Sequence, residues 1–169
     1  MIAPSGPDSC ESTNIFVGRQ HELGEIHGVV SDARAGRGAV LFLSGEPGIG
    51  KTRLADEAAA YAASRGMRVY RGRCFEDGGA PAYWPWIQIL SGVIADGGSH
   101  YSHTLPAEIV RMLPELAAEA PKPEAGDTEL LRFRLFDAVS RLWRESASTK
   151  PIMLVLDDLH DADVASLQL

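Results

Sequence analysis

The sequence predicts an α/β fold, a doubly wound, mainly parallel sheet between two helical layers. Three observations predict it. Two apolar runs, Ala39–Leu43 and Ile152–Leu156, are five residues each and lack polar alternation, as in strands buried on both faces of a parallel sheet. Between them, apolar residues recur at helical spacing in several segments. The first run also leads through a glycine-rich turn into an alanine-rich helix, so that strands and helices alternate in the order of such folds.

The chain has 169 residues, 45% of them apolar, enough for one domain with a core that needs no disulfide or metal. Its formal net charge of −7 argues against a nucleic-acid-binding surface, which is basic. No apolar run approaches the ~20 residues of a membrane-spanning helix. No Lys or Arg precedes Arg19, and no apolar stretch there forms a signal-peptide core. Cys10 and Cys74 are the only cysteines and are expected as free thiols in the cytoplasm rather than as a pair.

In order along the chain, residues 1–13 are rich in Pro, Ser, Gly and acids and read as a flexible tail. From Arg19 to about Ala35, Leu23, Ile26, Val30 and Ala33 mark an amphipathic helix ended by Gly36–Arg37–Gly38. Ala39–Leu43 is expected as the first buried strand. Lys51 to about Arg65 is the alanine-rich helix, capped at Gly66. Met67–Arg73 alternates weakly and is expected as a second strand. Gly78–Pro85 is a loop, and Trp86–Ile94 a helix broken at Gly97–Gly98. A short helix begins near Pro106 and is interrupted at Pro114. Pro121–Gly126 is a loop. Asp127 or Thr128 caps a long helix to about Ser146, with Leu131, Leu135, Val139 and Leu142 on its inner stripe. Ile152–Leu156 is the third strand, and the chain reaches Leu169 about one turn into a new helix.

Between the first strand and the alanine-rich helix stands Gly45–Glu46–Pro47–Gly48–Ile49–Gly50–Lys51–Thr52. It fits G-x-x-x-x-G-K-[ST] in the strand-to-helix context that the pattern requires. The glycines let the backbone turn so that successive N–H groups face a common centre and cradle phosphate oxygens. The helix start adds a partial positive charge of about half a unit. Lys51 brings an ammonium to the outer phosphates, and the Thr52 hydroxyl is a ligand for Mg²⁺. The alternative is a chance glycine turn, which the flanking elements disfavour.

Such a cradle needs an acid from another strand. Asp157 closes the run Ile152–Leu156 as the Walker B aspartate does and is expected to share Mg²⁺ with Thr52. Asp158 follows, placed to orient or deprotonate an attacking water; a solvated acidic turn is the plainer reading of the pair. The N-K-x-D motif of GTPases is absent, since Asn14 is the chain's only asparagine. The expected ligands are therefore ATP and Mg²⁺.

Phe16–Val17–Gly18–Arg19 with Glu22–Leu23 resembles the V-G-R-x-x-E-L opening of AAA-like ATPases of the STAND signalling class. The likeness continues through Gly45–Thr52, Pro81–Trp86, Arg132–Phe136 and Asp157–His160, over residues 14–169. These motifs are similar to the ATPase domain near the N-terminus of LuxR-family regulators and of similar multidomain cyclases and kinases. The resemblance implies a three-layer P-loop NTPase in which Val17 and Arg19 lie at the adenine; Phe16 and Val17 as simple anchors of the helix start are the alternative. For Tyr83, Trp84 and Trp86, packing onto the core competes with a nucleotide or partner contact. For Arg132 and Arg134, a solvated face competes with phosphate sensing, and for His160 a turn role competes with catalysis. The family has Trp where Asp161 stands here.

The resemblance also implies a further strand with a sensor residue after Asp163, then a helical lid and a winged-helix segment. Residues 14–169 thus read as the N-terminal part of such a domain, poorly soluble by itself. The implied function is an ATP-binding, and in the full-length context ATP-hydrolysing, switch that works with its own downstream domains or other protomers and touches neither nucleic acid nor membrane directly. The rivals are a nucleotide-binding module without turnover, a small-molecule kinase and an inert fragment.

Overall fold

A computed structural model describes residues 18–75, 79–97, 105–116 and 128–169. The expected tail, Val17, Cys10 and the loop Pro121–Gly126 lie outside them. Helix α1 (Gln20–Arg34) buries Ile26 and Val30 from its predicted stripe. Helix α2 (Lys51–Ser64) buries Leu54, Ala58 and Ala62, one row of a helix surface at spacing four. Its end is closed by hydrogen bonds from Gly66 N–H to Ala63 O and from Met67 N–H to Ala62 O, a Schellman cap.

Strand β1 (Arg68–Arg73) is followed by α3 (Trp84–Gly97), α4 (Ala107–Met112) and α5 (Thr128–Thr149). Strand β2 (Ile152–Asp157) then pairs parallel with β1, from Arg68 opposite Ile152 to Arg73 opposite Asp157. A 3₁₀ turn (Leu159–Asp161) and α6 (Val164–Gln168) complete the described chain. Helices on a parallel pair of strands make this an α/β fold.

The pleat sorts alternate strand residues to two cores. Tyr70, Ile152, Leu154 and Leu156 join the cluster built on Ile89, Leu90 and Val93 of α3, Ile109 of α4, and Val139 and Leu142 of α5. Val69 and Met153 pack instead with Ile26, Val30, Leu54, Ala58 and Ala62 of α1 and α2. Gly72 allows the closest approach: a Cβ there would lie 2.1 Å from the Pro85 carbonyl oxygen.

Helix α3 begins at Trp84, within the expected loop Gly78–Pro85, and one expected strand differs outright. Ala39–Leu43 forms no ladder with β1 or β2, and Val40 and Phe42 are 81% and 79% exposed. An apolar run becomes a buried strand only where neighbouring strands take up its N–H and C=O groups. The described sheet has two hydrogen-bonded strands, and this run is not one of them.

Candidate functional site

The start of α2 and the end of β2 are joined by a side-chain contact, Thr52 with Asp157. Gly50 precedes α2 in left-handed backbone, φ 92°, and no side chain caps the helix. Glycine adopts that φ without strain, and the uncapped first-turn N–H groups of α2 are donors for an anion. The turn before it is closed by Ile49 N–H to Glu46 O at 3.4 Å. Lys51 folds back over the turn, and its Nζ donates to the carbonyls of Gly45 and Glu46, each at 3.0 Å.

From the other side comes the strand end. Thr52 Oγ1 donates to Asp157 Oδ1 at 3.4 Å across 105 residues of sequence. The same carboxylate oxygen accepts Asp158 N–H at 3.0 Å. Asp158 itself is left-handed, φ 55°, and its carboxylate is paired with Arg73, Nε to Oδ2 at 2.8 Å. Sequence reasoning missed Arg73. Its only sequence signal is a cation at the end of a strand expected to lie beside an acidic strand end.

Arg19 donates through a terminal guanidinium nitrogen to Ile49 O at 2.6 Å, which ties the start of α1 to the glycine-rich turn. Glu46, Pro47 and Gly48 lie on the exposed part of that turn. The Cys74 thiol is buried and free. Burial first, then the acids at Asp161, Asp163, Asp158 and Asp157, push it up, away from thiolate character.

The aromatic segment packs inward. Trp84 and Trp86 lie against the larger core, and Trp86 Nε1 donates to Ser166 O at 2.8 Å. Tyr83, in left-handed backbone, gives its N–H to the Asp163 carboxylate, which also caps Ser166. Burial works against that carboxylate's charge, but these hydrogen bonds outweigh it and hold Asp163 below the usual range. Arg132 reaches Gln168 at 3.3 Å, and Arg134 stands on the exposed face of α5. His160 is exposed and lies 3.4 Å from Asp161, the residue in place of the expected Trp. A cavity of about 590 Å³ lies apart from the turn, lined among others by Tyr83, Ile87, Arg111, Met112 and Leu135.

Among the described residues, no group of three or more His, Cys, Asp or Glu is placed to hold a metal. None of the described helices is long and apolar enough to cross a membrane. In comparisons with known proteins, no curated protein and no solved structure matches the chain significantly. The family of the AAA ATPase domain matches it over residues 15–169, nearly its whole length. The chain belongs to the AAA ATPase domain family, a nucleotide-binding module with a glycine-rich phosphate loop.

Proposed function

We propose that the chain binds ATP with Mg²⁺ at the Gly45–Thr52 turn and serves as the ATP-driven switch of a signalling or transcriptional regulator of the STAND class. The observation that carries the reading is the meeting of Thr52 Oγ1 and Asp157 Oδ1 at 3.4 Å. Two hard oxygens at the edge of a phosphate cradle suit Mg²⁺, which takes one or two protein oxygens and completes its shell with phosphates and water. The chemistry such an ion supplies is charge neutralisation on the outer phosphates. Two apolar clusters on opposite sides of the β1–β2 pair support a three-layer P-loop architecture.

The chain's own groups divide the work. The amides of Gly48–Thr52 bind phosphate oxygens, and Lys51 exchanges its two loop carbonyls for the outer phosphates. Arg19 holds Ile49, and with it the turn, in register with the start of α1; Val17 is assigned to the adenine by family likeness alone. Asp158 takes the proton of a water whose oxygen bonds to the γ-phosphorus. The bond to the β,γ-bridging oxygen breaks, and ADP leaves with its electron pair. Catalysis here is mostly positioning and charge stabilisation. A nucleotide-binding module without turnover is the second reading, favoured by the pairing of Asp158 with Arg73 rather than with an open site.

Lys51→Ala tests the core of the proposal. It removes charge-assisted hydrogen bonds of about 1.5–3 kcal/mol, so Mg·ATP affinity measured by calorimetry is expected to fall roughly tenfold to hundredfold. Equal affinity in both proteins rules out the assigned role.

A further inference from the structure

We infer that Trp86 is a positioning residue for the acidic strand end, acting through Ser166 and Asp163; the inference rests on the reading of Asp157 as the acid that shares Mg²⁺ with Thr52. The chain leaving Asp157 is short and closed at each step. Asp158 is left-handed, φ 55°. The 3₁₀ turn is held by Asp161 N–H to Asp158 O at 2.9 Å and by Ala162 N–H to Leu159 O at 3.2 Å. Asp163 then caps α6: its Oδ1 accepts Ser166 N–H at 3.0 Å, and its Oδ2 accepts the Ser166 hydroxyl. With five residues, α6 is far below the ~12–15 at which a helix stands by itself, so its contacts set its place. Ser166 is buried, 4% exposed, and its carbonyl accepts Trp86 Nε1–H at 2.8 Å.

Trp86 stands in the first turn of α3, and that turn is braced on the sheet. Pro85 lies against Gly72 of β1, and Gly72 is opposite Leu156, the residue before Asp157. The contacts therefore close a ring: from Asp157 through the 3₁₀ turn and α6 to Trp86, then through Pro85 and Gly72 back to Leu156. Packing alone does not explain the indole. Trp84 and Trp86 both lie against the larger core, yet Trp84 Nε1 is buried with no partner among the described residues, whereas Trp86 Nε1 ties two elements. At the far end of α6 the Arg132–Gln168 contact of 3.3 Å is exposed and competes with water. The partly buried Trp86 bond is the stronger restraint. Opening it frees the turn after Asp157 to swing, and the carboxylate that meets Thr52 at 3.4 Å loses its fixed direction.

The test compares Trp86→Phe with Trp84→Phe in the full chain. Both remove an indole from the same core, but only the first removes a hydrogen bond. Calorimetry reads the affinity for ATP with Mg²⁺ and, in chelator, without it, and thermal scans read stability. Trp86→Phe is expected to weaken the Mg²⁺-dependent part of ATP binding about tenfold, as loss of an outer support of a metal ligand does. Its affinity for Mg-free ATP is expected to be unchanged, since the Gly48–Thr52 amides and Lys51 are untouched. Trp84→Phe is expected to leave both affinities unchanged, whatever its melting temperature. An unchanged Mg²⁺ dependence in Trp86→Phe overturns the inference, and so does an equal loss in Trp84→Phe. If Trp86→Phe does not fold, benzothienylalanine at position 86, which replaces the N–H by sulfur on the same ring frame, decides in the same way. Asp157→Asn with wild-type Mg²⁺ dependence, or a wild-type chain whose ATP binding ignores Mg²⁺, instead refutes the reading of Asp157 on which this one stands.

Discussion

Tyr70 shows how one side chain carries both packing and pH dependence. Its ring joins the larger core while its hydroxyl donates to Asp96 at 2.9 Å. Burial first, and the Asp96 hydrogen bond second, push it up to about 12. The folded state therefore favours the neutral phenol. Its stabilisation is complete below the unfolded value of about 10 and is lost as pH rises from there through about 12. The melting temperature is expected to decline across that window, and Tyr70→Phe to decline less steeply while starting lower, by about 1 kcal/mol for the lost hydrogen bond. Parallel declines in thermal scans of the two proteins rule the account out. At this scale the Gly45–Thr52 pattern is legible from its own spacing and Asp157–Asp158 from the apolar run that they close. Arg73 escapes it, since its tie to Asp158 depends on a strand register that no local pattern encodes.

Among the elements, the contact of β1 with α3 leaves the least room. A Cβ on Gly72 would sit 2.1 Å from Pro85 O and 2.7 Å from its carbonyl carbon. Both are backbone atoms, so relief requires the start of α3 to move away from the strand. Gly72→Ala is expected to cost about 1–3 kcal/mol, which lowers the melting temperature by about 2–4 °C per kcal/mol in a domain of this size. A melting temperature equal to wild type means that α3 does not lie this close. Helices α1 and α5 are legible from their apolar stripes, α2 from its alanine-rich run before Gly66, and strand β2 from an unbroken apolar run; the long helix runs a little further, to Thr149, than its apolar stripe. The start of α3 was harder to read. Trp84 and Pro85 belong to the helix although a Pro-flanked segment resembles a loop, because proline is tolerated in a first turn whose N–H groups need no intrahelical partner. Ala39–Leu43 was misread for a different reason. Its composition states what the run would bury but not whether a ladder stands beside it.

For the molecule as a whole, the phosphate turn is approached by a segment that the two cores leave uncovered. Val40, Leu41, Phe42 and Leu43 are 81%, 46%, 79% and 37% exposed, immediately before Gly45, while both apolar clusters are assembled from other elements. Four consecutive exposed apolar residues form a surface that invites association, and unpaired backbone in such a run is a template for another chain. Folding and solubility should therefore separate. Lysine at both positions 40 and 42, made as Val40→Lys with Phe42→Lys, removes no buried contact. Surface changes of that kind stay within about 0.5 kcal/mol each, so the melting temperature is expected to hold within about 4 °C. The fraction of residues 1–169 that stays in solution is expected to rise, because the added charges repel like copies and break the apolar run. Light scattering and calorimetry on the same samples separate the two effects. A melting temperature that collapses in the double variant would mean that these side chains are covered in solution, so that the first apolar run is part of the folded core after all.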